Sequence, residues 1–305
     1  MQAELVPGLA GNDPDEGILV RMGTLYIVGT PIGNLEDLTR RAVRVLGQVS
    51  LVAAEDTRVT RKLLSHLSIH VPLVSYHSRN WRSRLPTILD ALTSGDVALV
   101  TDAGMPVVSD PGSDLVAAAR AAGNRVEVVP GPSAVTAALA VSGLPGDCFL
   151  FLGFLPRRGK SRTSKLQSIA TLTAPFAPLA APIIIFEAPH RLRTTLQDLL
   201  TVLGDLDLAV CRELTKLHEE VFRGSVSQAL DYFTEPRGEF VLLLAGTDPP
   251  SGPEAPSQPQ LEAASAELAK LKQSGSRARA AVAQVAADYH LPRKIVYQLW
   301  LQTTD

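Results

Sequence analysis

From Thr24 onward, short runs of apolar and β-branched residues alternate with stretches whose apolar positions recur every three or four residues. TLYIVGT is followed by LEDLTRRAVRVLGQV, SLVAAED by TRVTRKLLSHL and VPLVSYH by RLPTILDALTSG. DVALVTD then precedes GSDLVAAARAAG, and RVEVVPG precedes PSAVTAALAVSGL. Five strand–helix repeats in a row predict an α/β domain with a largely parallel sheet. The rhythm breaks near Pro145-Gly146-Asp147. CFLFLGFLP, APIIIFEAP, DLDLAVCREL and GEFVLLLAG read as strands of a second α/β domain with a mixed sheet, with helical patterns at 190–203 and 226–234. TDPPSGPEAPSQPQ reads as a Pro/Ser-rich linker. Beyond it, 261–273 and 277–303 have helical spacing, with Leu291-Pro292 dividing the second stretch, as in a small helical appendage of helix-turn-helix type. Residues 1–22 carry acids, Gly and Pro without a period and read as a disordered extension, in which Met22 offers an alternative start. The expected division is therefore 1–22 extension, 23–145 N-terminal domain, 146–246 C-terminal domain, 247–260 linker and 261–305 appendage.

Composition narrows the function classes. At 305 residues and 46% hydrophobic, the chain has room for two domains with substantial cores. No apolar run approaches the ~18–20 residues that span a bilayer, and no basic segment followed by an apolar one suggests a secretory signal, so a cytoplasmic protein without a membrane partner is expected. Cys148 and Cys211 stand alone in strand-like sequence, which suits reduced core thiols better than a disulfide framework or a zinc site. The formal net charge of −2 means that any nucleic-acid contact must use local positive patches.

Several motifs sit just beyond strands, where ligands of open α/β sheets collect. Gly29-Thr30-Pro31-Ile32-Gly33-Asn34 permits a tight turn or close backbone approach to a ligand, and equally an ordinary strand–helix turn. Ala54-Glu55-Asp56-Thr57-Arg58 closes the second strand, where Asp56 or Thr57 suits a helix N-cap. Phe186-Glu187-Ala188-Pro189-His190-Arg191 and Cys211-Arg212-Glu213-Leu214-Thr215-Lys216 repeat that arrangement. Thr101–Gly112, TDAGMPVVSDPG, packs two aspartates, two glycines and two prolines into one loop. It suits a metal, a phosphate, a cationic cofactor or a simple turn.

The metal and nucleotide options weaken on spacing. Asp102 and Asp110 lack calcium-loop spacing, and the six histidines form no ligand constellation, so no metal is expected. GFLPRRGKS ends like a phosphate-binding loop, but five residues separate its glycines where four are required, and two of those five are arginines. RRGKSRTSK, from Arg157 to Lys165, holds five cations and no acid. Such a run is most often a solvated surface loop, and also suits a polyanion. Smaller cationic groups echo it at Arg58, Arg61 and Lys62, at Arg79, Arg82 and Arg84 around Trp81, and at His190, Arg191 and Arg193. Trp81 suits stacking on an unpaired base and a partly buried anchor equally.

In this order the motifs resemble a known family. GTPIGNLEDLT, AAEDTR, TDAGMPVVSDPG, VPGPSAVTAALAVSGLP, GFLPRRGKSR, FEAPHRL, RELTKLHEE and RGEFVLLL are similar to those of the small-subunit (16S) ribosomal RNA methyltransferases that methylate a cytidine 2′-oxygen, within the tetrapyrrole-methylase-like class III S-adenosylmethionine enzymes. The resemblance covers roughly 22–245. Met105, Leu217-His218 and the N-terminal extension depart from the pattern. It implies two α/β domains of tetrapyrrole-methylase type with S-adenosyl-L-methionine in the interdomain cleft, a homodimer, and 16S rRNA in the assembled small subunit as partner. Carried over by motif, the cofactor contacts implied are Pro31, Asp102, Ala103, Gly104, Val107, Ser133, Ala134, Phe154, Leu155 and Leu214. Asp56, Glu187 and Glu213 are the implied candidates for general base, with Arg58, Lys160, Arg191 and Arg212 orienting the phosphate backbone. Arg157, Arg158, Arg162 and Arg191 are the expected RNA contacts. Within the aspartate-rich loop, Asp102 is expected to act on the cofactor, while Ser109 or Asp110 caps the next helix with Pro111 in its first turn. A small-molecule methyltransferase of the same fold and a GKS-centred nucleotide-binding module remain the alternatives.

Overall fold

The computed structural model describes residues 22–157, 160–176, 181–245, 258–274, 276–289, 291 and 293–302. The 1–21 stretch, most of the expected linker and Arg158 lie outside the described residues. The first sheet comprises β1 (Thr24–Val28), β2 (Leu51–Ala54), β3 (Leu73–Ser75), β4 (Val97–Val100) and β5 (Arg125–Val129), in the order β3-β2-β4-β1-β5 with every pair parallel. Helices α1 (Arg40–Leu46), α2 (Thr57–His66), α3 (Trp81–Ser94) and α4 (Ser113–Ala121) return the chain between strands. Both faces of the sheet are covered at its centre, so β2 and β4 read as continuous apolar runs. Successive residues of β4 alternate between two cores: Ala98 and Val100 join Val28 and Val52, while Val97 and Leu99 join Leu25, Ile88 and Leu115.

The second sheet runs β6-β7-β10-β8-β9, built from β6 (Leu150–Phe154), β7 (Ile183–Glu187), β8 (Asp207–Arg212), β9 (Glu220–Ser225) and β10 (Phe240–Leu244). Only β6 and β7 are parallel; the other pairs are antiparallel. One face packs on α6 (Lys160–Phe176), α7 (Pro189–Leu203) and α8 (Val226–Tyr232), with Ile183, Ile185, Leu208 and Leu242 pointing that way. The opposite face, through Ile184, Ala209, Val241 and Leu243, receives Val135 and Ala138 of α5 (Ala134–Ser142). Helix α5 follows the last strand of the first sheet yet lies on the second. Its sequence, AVTAALAVS, is apolar nearly all round, and such a helix is stable only when covered on more than one side. It ties the two sheets into one body. Helices α9 (Gln258–Gln273), α10 (Ala278–Asp288) and α11 (Arg293–Gln302) enclose a separate small core of Ala264, Leu268, Val282, Val285 and Val296.

Two local expectations are corrected and one strand is added. RRGKSRTSK is no surface loop throughout: α6 begins at Lys160 and buries Leu166 and Ile169. Strand β9 arises from the charged segment EVFRGS, which as an edge strand needs no apolar alternation. The cap of α4 is Gly112, at φ 145°, so neither Ser109 nor Asp110 caps that helix and Pro111 precedes it. Asp56 does cap α2, accepting the Arg58 N–H at 2.8 Å.

The ends of β1 and β5 approach so closely that a Cβ on Gly131 would stand 2.9 Å from the Cα of Gly29. Only glycine fits there. Gly131→Ala must push the two loops apart and is expected to cost about 1–3 kcal/mol, measured as a lowered denaturant midpoint with an unchanged slope. A midpoint equal to the parent's would show that the approach is not tight in solution.

Candidate functional site

The carboxyl ends of β1 and β4 are zipped together beyond the sheet. Thr30 N–H donates to Gly104 O at 2.9 Å, Gly104 N–H returns a bond to Thr30 O at 3.1 Å, and the Thr30 hydroxyl reaches Thr101 O at 3.1 Å. This is where the strand order reverses, the crevice in which open α/β sheets bind ligands. Gly104 sits at φ 78°, a conformation that favours glycine. Among the described residues, four of the five non-glycine positions at positive φ belong to two loops here: Val107 and Ser109 in the first, Glu213 and Thr215 in the second. A β-branched residue such as Val107 in that region is rare, and each such position stores on the order of 1–3 kcal/mol, as happens where function constrains the chain.

Between these loops lies a cavity of about 410 Å³, within the range of small-molecule sites. Its floor is Asp102, Ala103 and Gly104; Ser133 and Ala134 open α5 on one side, and Leu214, Phe240 and Val241 come from the second sheet. Phe154 completes it. A bulge in β6 between Phe151 and Gly153 re-aims the strand end, and the Phe154 ring meets Phe186 edge-on with centroids 5.5 Å apart.

Five carboxyl residues line this cavity, and three of them, Glu55, Asp102 and Asp110, hold their protons more tightly than in water. Burial pushes Asp110 up to about 7, aided by the Glu55 charge and opposed by a hydrogen bond from Thr101. Burial, and then the Asp102 charge, raises Glu55. Asp102 keeps surface open to the cavity, but its walls remove enough hydration to raise it as well, against the hydrogen bond that its Oδ1 accepts from Asp56 N–H at 3.0 Å. Loss of water disfavours the charged form of each. Among the described residues, no group of three His, Cys, Asp or Glu side chains is placed to hold a metal ion.

The expected site residues divide. Asp102, Ala103, Gly104, Ser133, Ala134, Phe154 and Leu214 line the cavity together. Pro31 lines a smaller neighbouring one instead. Leu155 is buried in the core behind β6. Val107 is replaced on the wall by Met105, Val108 and Ser109, because its left-handed backbone turns it toward Gly112.

The expected bases are engaged elsewhere. Asp56 is held well below the usual carboxylate range by hydrogen bonds from the Arg58 side chain and backbone, and the pair sits at the surface 2.5 Å apart. Burial works against the Glu213 charge, but Lys216 at 2.9 Å and the Glu239 N–H outweigh it and lower the group. Glu187 does face the cavity, yet Ala188 N–H, the Thr195 hydroxyl and Arg191 Nε occupy its oxygens.

Nor is the cationic run a uniform RNA surface. Lys160 and Arg157 are exposed. Arg162, however, is 7% exposed: its guanidinium bonds Asp198 at 2.7 Å, Thr195 at 2.9 Å and Pro156 O at 3.1 Å. Its RNA-binding assignment is therefore corrected to a buried clamp. Arg191 is half-buried and donates to Leu155 O at 2.7 Å, although with Arg157, His190 and Thr194 it also lines a cationic depression. Arg212 is tied to Glu220 and Arg237 O. Trp81 packs on the first core with Arg82 stacked 5.1 Å from its ring centre.

Sequence reasoning missed Glu55 and Asp110. Glu55 adjoins the conspicuous Asp56, and Asp110 was absorbed by helix-cap chemistry. The available signal was position alone, each lying just past a buried strand.

Comparison with known proteins places these features in context. Residues 24–230 match the family of tetrapyrrole (corrin/porphyrin) methylases. The chain is 46% identical over 285 residues to a protein of Synechocystis sp. named ribosomal RNA small subunit methyltransferase I, covering 92% of this chain and 98% of the relative. Relatives of the same name from Thermotoga maritima and Bacillus subtilis are 49% identical over 230 residues and 39% identical over 282, covering 74% and 92% of this chain and 100% and 94% of theirs. Among solved structures, uroporphyrin-III-C-methyltransferase of Thermus thermophilus is similar with a TM-score of 0.51 at 25% identity, covering 74% of this chain and 95% of that one. Diphthine synthase shares the fold with a TM-score of 0.57 at 14% identity, over 73% and 89% of the two chains.

The carboxyl group at Asp110 sets a pH signature. The unfolded chain releases this proton near 3.8 and the folded chain near 7, so the folded state binds more protons between those values. Stability therefore falls as pH rises from about 4 to about 7. Asp110→Asn removes that slope. Its unfolding midpoint is expected to vary less than the parent's between about pH 5 and pH 8, and to exceed it at the upper end. Parallel pH profiles would place Asp110 in water.

Proposed function

Since the chain belongs to the tetrapyrrole methylase family and, within it, to the ribosomal RNA small subunit methyltransferases I, we propose that it transfers a methyl group from S-adenosylmethionine to the ribose 2′-oxygen of a cytidine in 16S ribosomal RNA. The protein is a methyltransferase. The observation that carries the finer reading is identity of 39–49% with relatives of that one name. The cytoplasm, the assembled small subunit as substrate and a homodimeric enzyme complete the proposal. Among the described residues, no helix is long and apolar enough to cross a membrane.

The cavity suits this donor on its own chemistry. Its volume falls within the range of small-molecule sites, its walls are mixed apolar and backbone, and three poorly hydrated carboxyl groups favour a cationic guest. Asp102, Ala103, Gly104, Ser133, Ala134 and Leu214 would hold it. S-adenosylmethionine, when bound, supplies a methyl group on a positively charged sulfur.

The protein's part is then placement and proton handling. The Thr30–Gly104 bridge and the strained loops fix the cavity floor, and orientation of this kind is worth up to about 7–11 kcal/mol in favourable cases. Phe154 and Phe186, packed edge-on, supply apolar wall on the side of the second sheet. A ribose hydroxyl must lose its proton to act as nucleophile. The acceptor for that proton is drawn from Glu55, Asp102 and Asp110, whose raised proton affinities suit a base working near neutral pH and contributing about 10²–10⁴-fold. Phosphates of the RNA meet the exposed cations, among them Arg157 and Lys160.

Incubation with labelled methyl donor and either small subunits or naked ribosomal RNA tests the proposal. Label is expected at one cytidine, in a linkage resistant to alkali because the 2′-oxygen is blocked. Label on a base, or on a porphyrinoid in place of RNA, would overturn it.

A further inference from the structure

A second cavity, of about 240 Å³, adjoins the first. Pro31 and Leu35 form one side, Val59, Lys62 and His66 of α2 the other, and Asp102 belongs to the wall of both cavities. Its volume lies below the roughly 300–1,000 Å³ of sites for whole drug-sized ligands, so it admits a single ring or sugar and not a second donor. Leu35 and Val59 leave 49% and 41% of their surface uncovered, an apolar slot open to water. The helix beside it is charged in one sense only. Over Thr57–His66 the exposed side chains include Arg58, Arg61, Lys62 and His66, and the segment contains no carboxylate. Of the acids nearby, Asp56 is consumed by the α2 cap and by Arg58, Asp102 stands in the wall between the two cavities, and the exposed Glu36 and Asp37 follow Leu35 on the side opposite α2.

Resting on the reading of the protein as an RNA 2′-O-methyltransferase, we propose that this smaller cavity is the acceptor subsite. It takes the splayed-out target nucleotide, with the ring or sugar against Leu35 and Val59 and the flanking phosphates on Arg61 and Lys62. The shared wall at Asp102 makes an occupant of this slot the neighbour of the methyl donor. An unpaired nucleotide offers an apolar ring face and adjacent phosphates together, which is what the slot and its rim match. The cationic depression at Arg157, His190 and Arg191 is a weaker candidate for the reacting nucleotide. Asp102 is not in its wall, and Arg191 is committed to Glu187 and Leu155 O.

Two variants of exposed residues test the subsite: Val59→Trp, which fills the slot, and the double charge reversal Arg61→Glu/Lys62→Glu. Unfolding midpoints verify folding, calorimetry gives the affinity for S-adenosylmethionine, and methyl transfer to small subunits is followed across a salt series. Donor affinity is expected to stay within about twofold, because neither variant touches the larger cavity. The charge reversal is expected to raise KM for the subunit by at least about tenfold and to reduce the dependence of log KM on log salt by about one to two. Val59→Trp is expected to lower turnover at saturating subunit. An active parent with wild-type KM, salt slope and turnover in both variants overturns the subsite alone, and so does loss of donor affinity in either variant. A parent that binds donor and methylates no RNA overturns the functional reading together with it.

Discussion

Carboxyl groups resist leaving water, and those of Glu55, Asp102 and Asp110 are carried into one confined space by the geometry of a parallel sheet. Adjacent strands β2 and β4 end at the same edge, so Glu55 and the Asp102–Asp110 loop emerge side by side, and the second sheet closes over them. With hydration reduced, each group holds its proton more tightly than in water. Of the neighbouring cations, Arg58 is bonded to Asp56 and only partly offsets Asp102. The site is thus electrostatically incomplete until a cation enters it, and that incompleteness is what the methyl donor proposed here would relieve.

Such a site persists only if its frame is rigid. Strained backbone at Val107, Ser109, Glu213 and Thr215 borders it on two sides. It is opposed by the buried bonds linking Arg162, Thr195, Glu187 and Arg191, which fasten the end of β6 to β7 and α7. A buried arginine with a partner for each of its three nitrogens specifies geometry more than it adds stability. Helix α5 supplies the remaining constraint, since its apolar surface is spent against the second sheet while its first residues, Ser133 and Ala134, form cavity wall.

Positive charge is distributed by the same logic. The densest cationic run in the chain becomes partly a helix start and partly a buried clamp. The exposed face of α2, with fewer cations but no carboxylate in its own sequence, stands beside the slot that shares Asp102 with the main cavity. Accessibility, not linear density, decides which cations meet a polyanion.

Much of the architecture was legible in the chain itself. The alternation of β-branched runs with helical spacing specified the parallel first sheet, because strand and helix periods differ and a buried strand must be apolar throughout. Ordered motifs located Asp102, Gly104, Ser133 and Leu214 at strand ends, and the Asp56 cap was plain from local chemistry. Other features depended on contacts between segments far apart. Strand β9 is an edge stabilised by pairing with β8, Leu166 and Ile169 of α6 are buried in a core shared with α7 and the second sheet, and Arg162 is buried by partners more than thirty residues away. Glu55 and Asp110 acquired their chemistry in the same way. A carboxyl group's proton affinity is set by the water it loses and the charges it meets, and both are properties of the assembled cavity, not of neighbours along the chain.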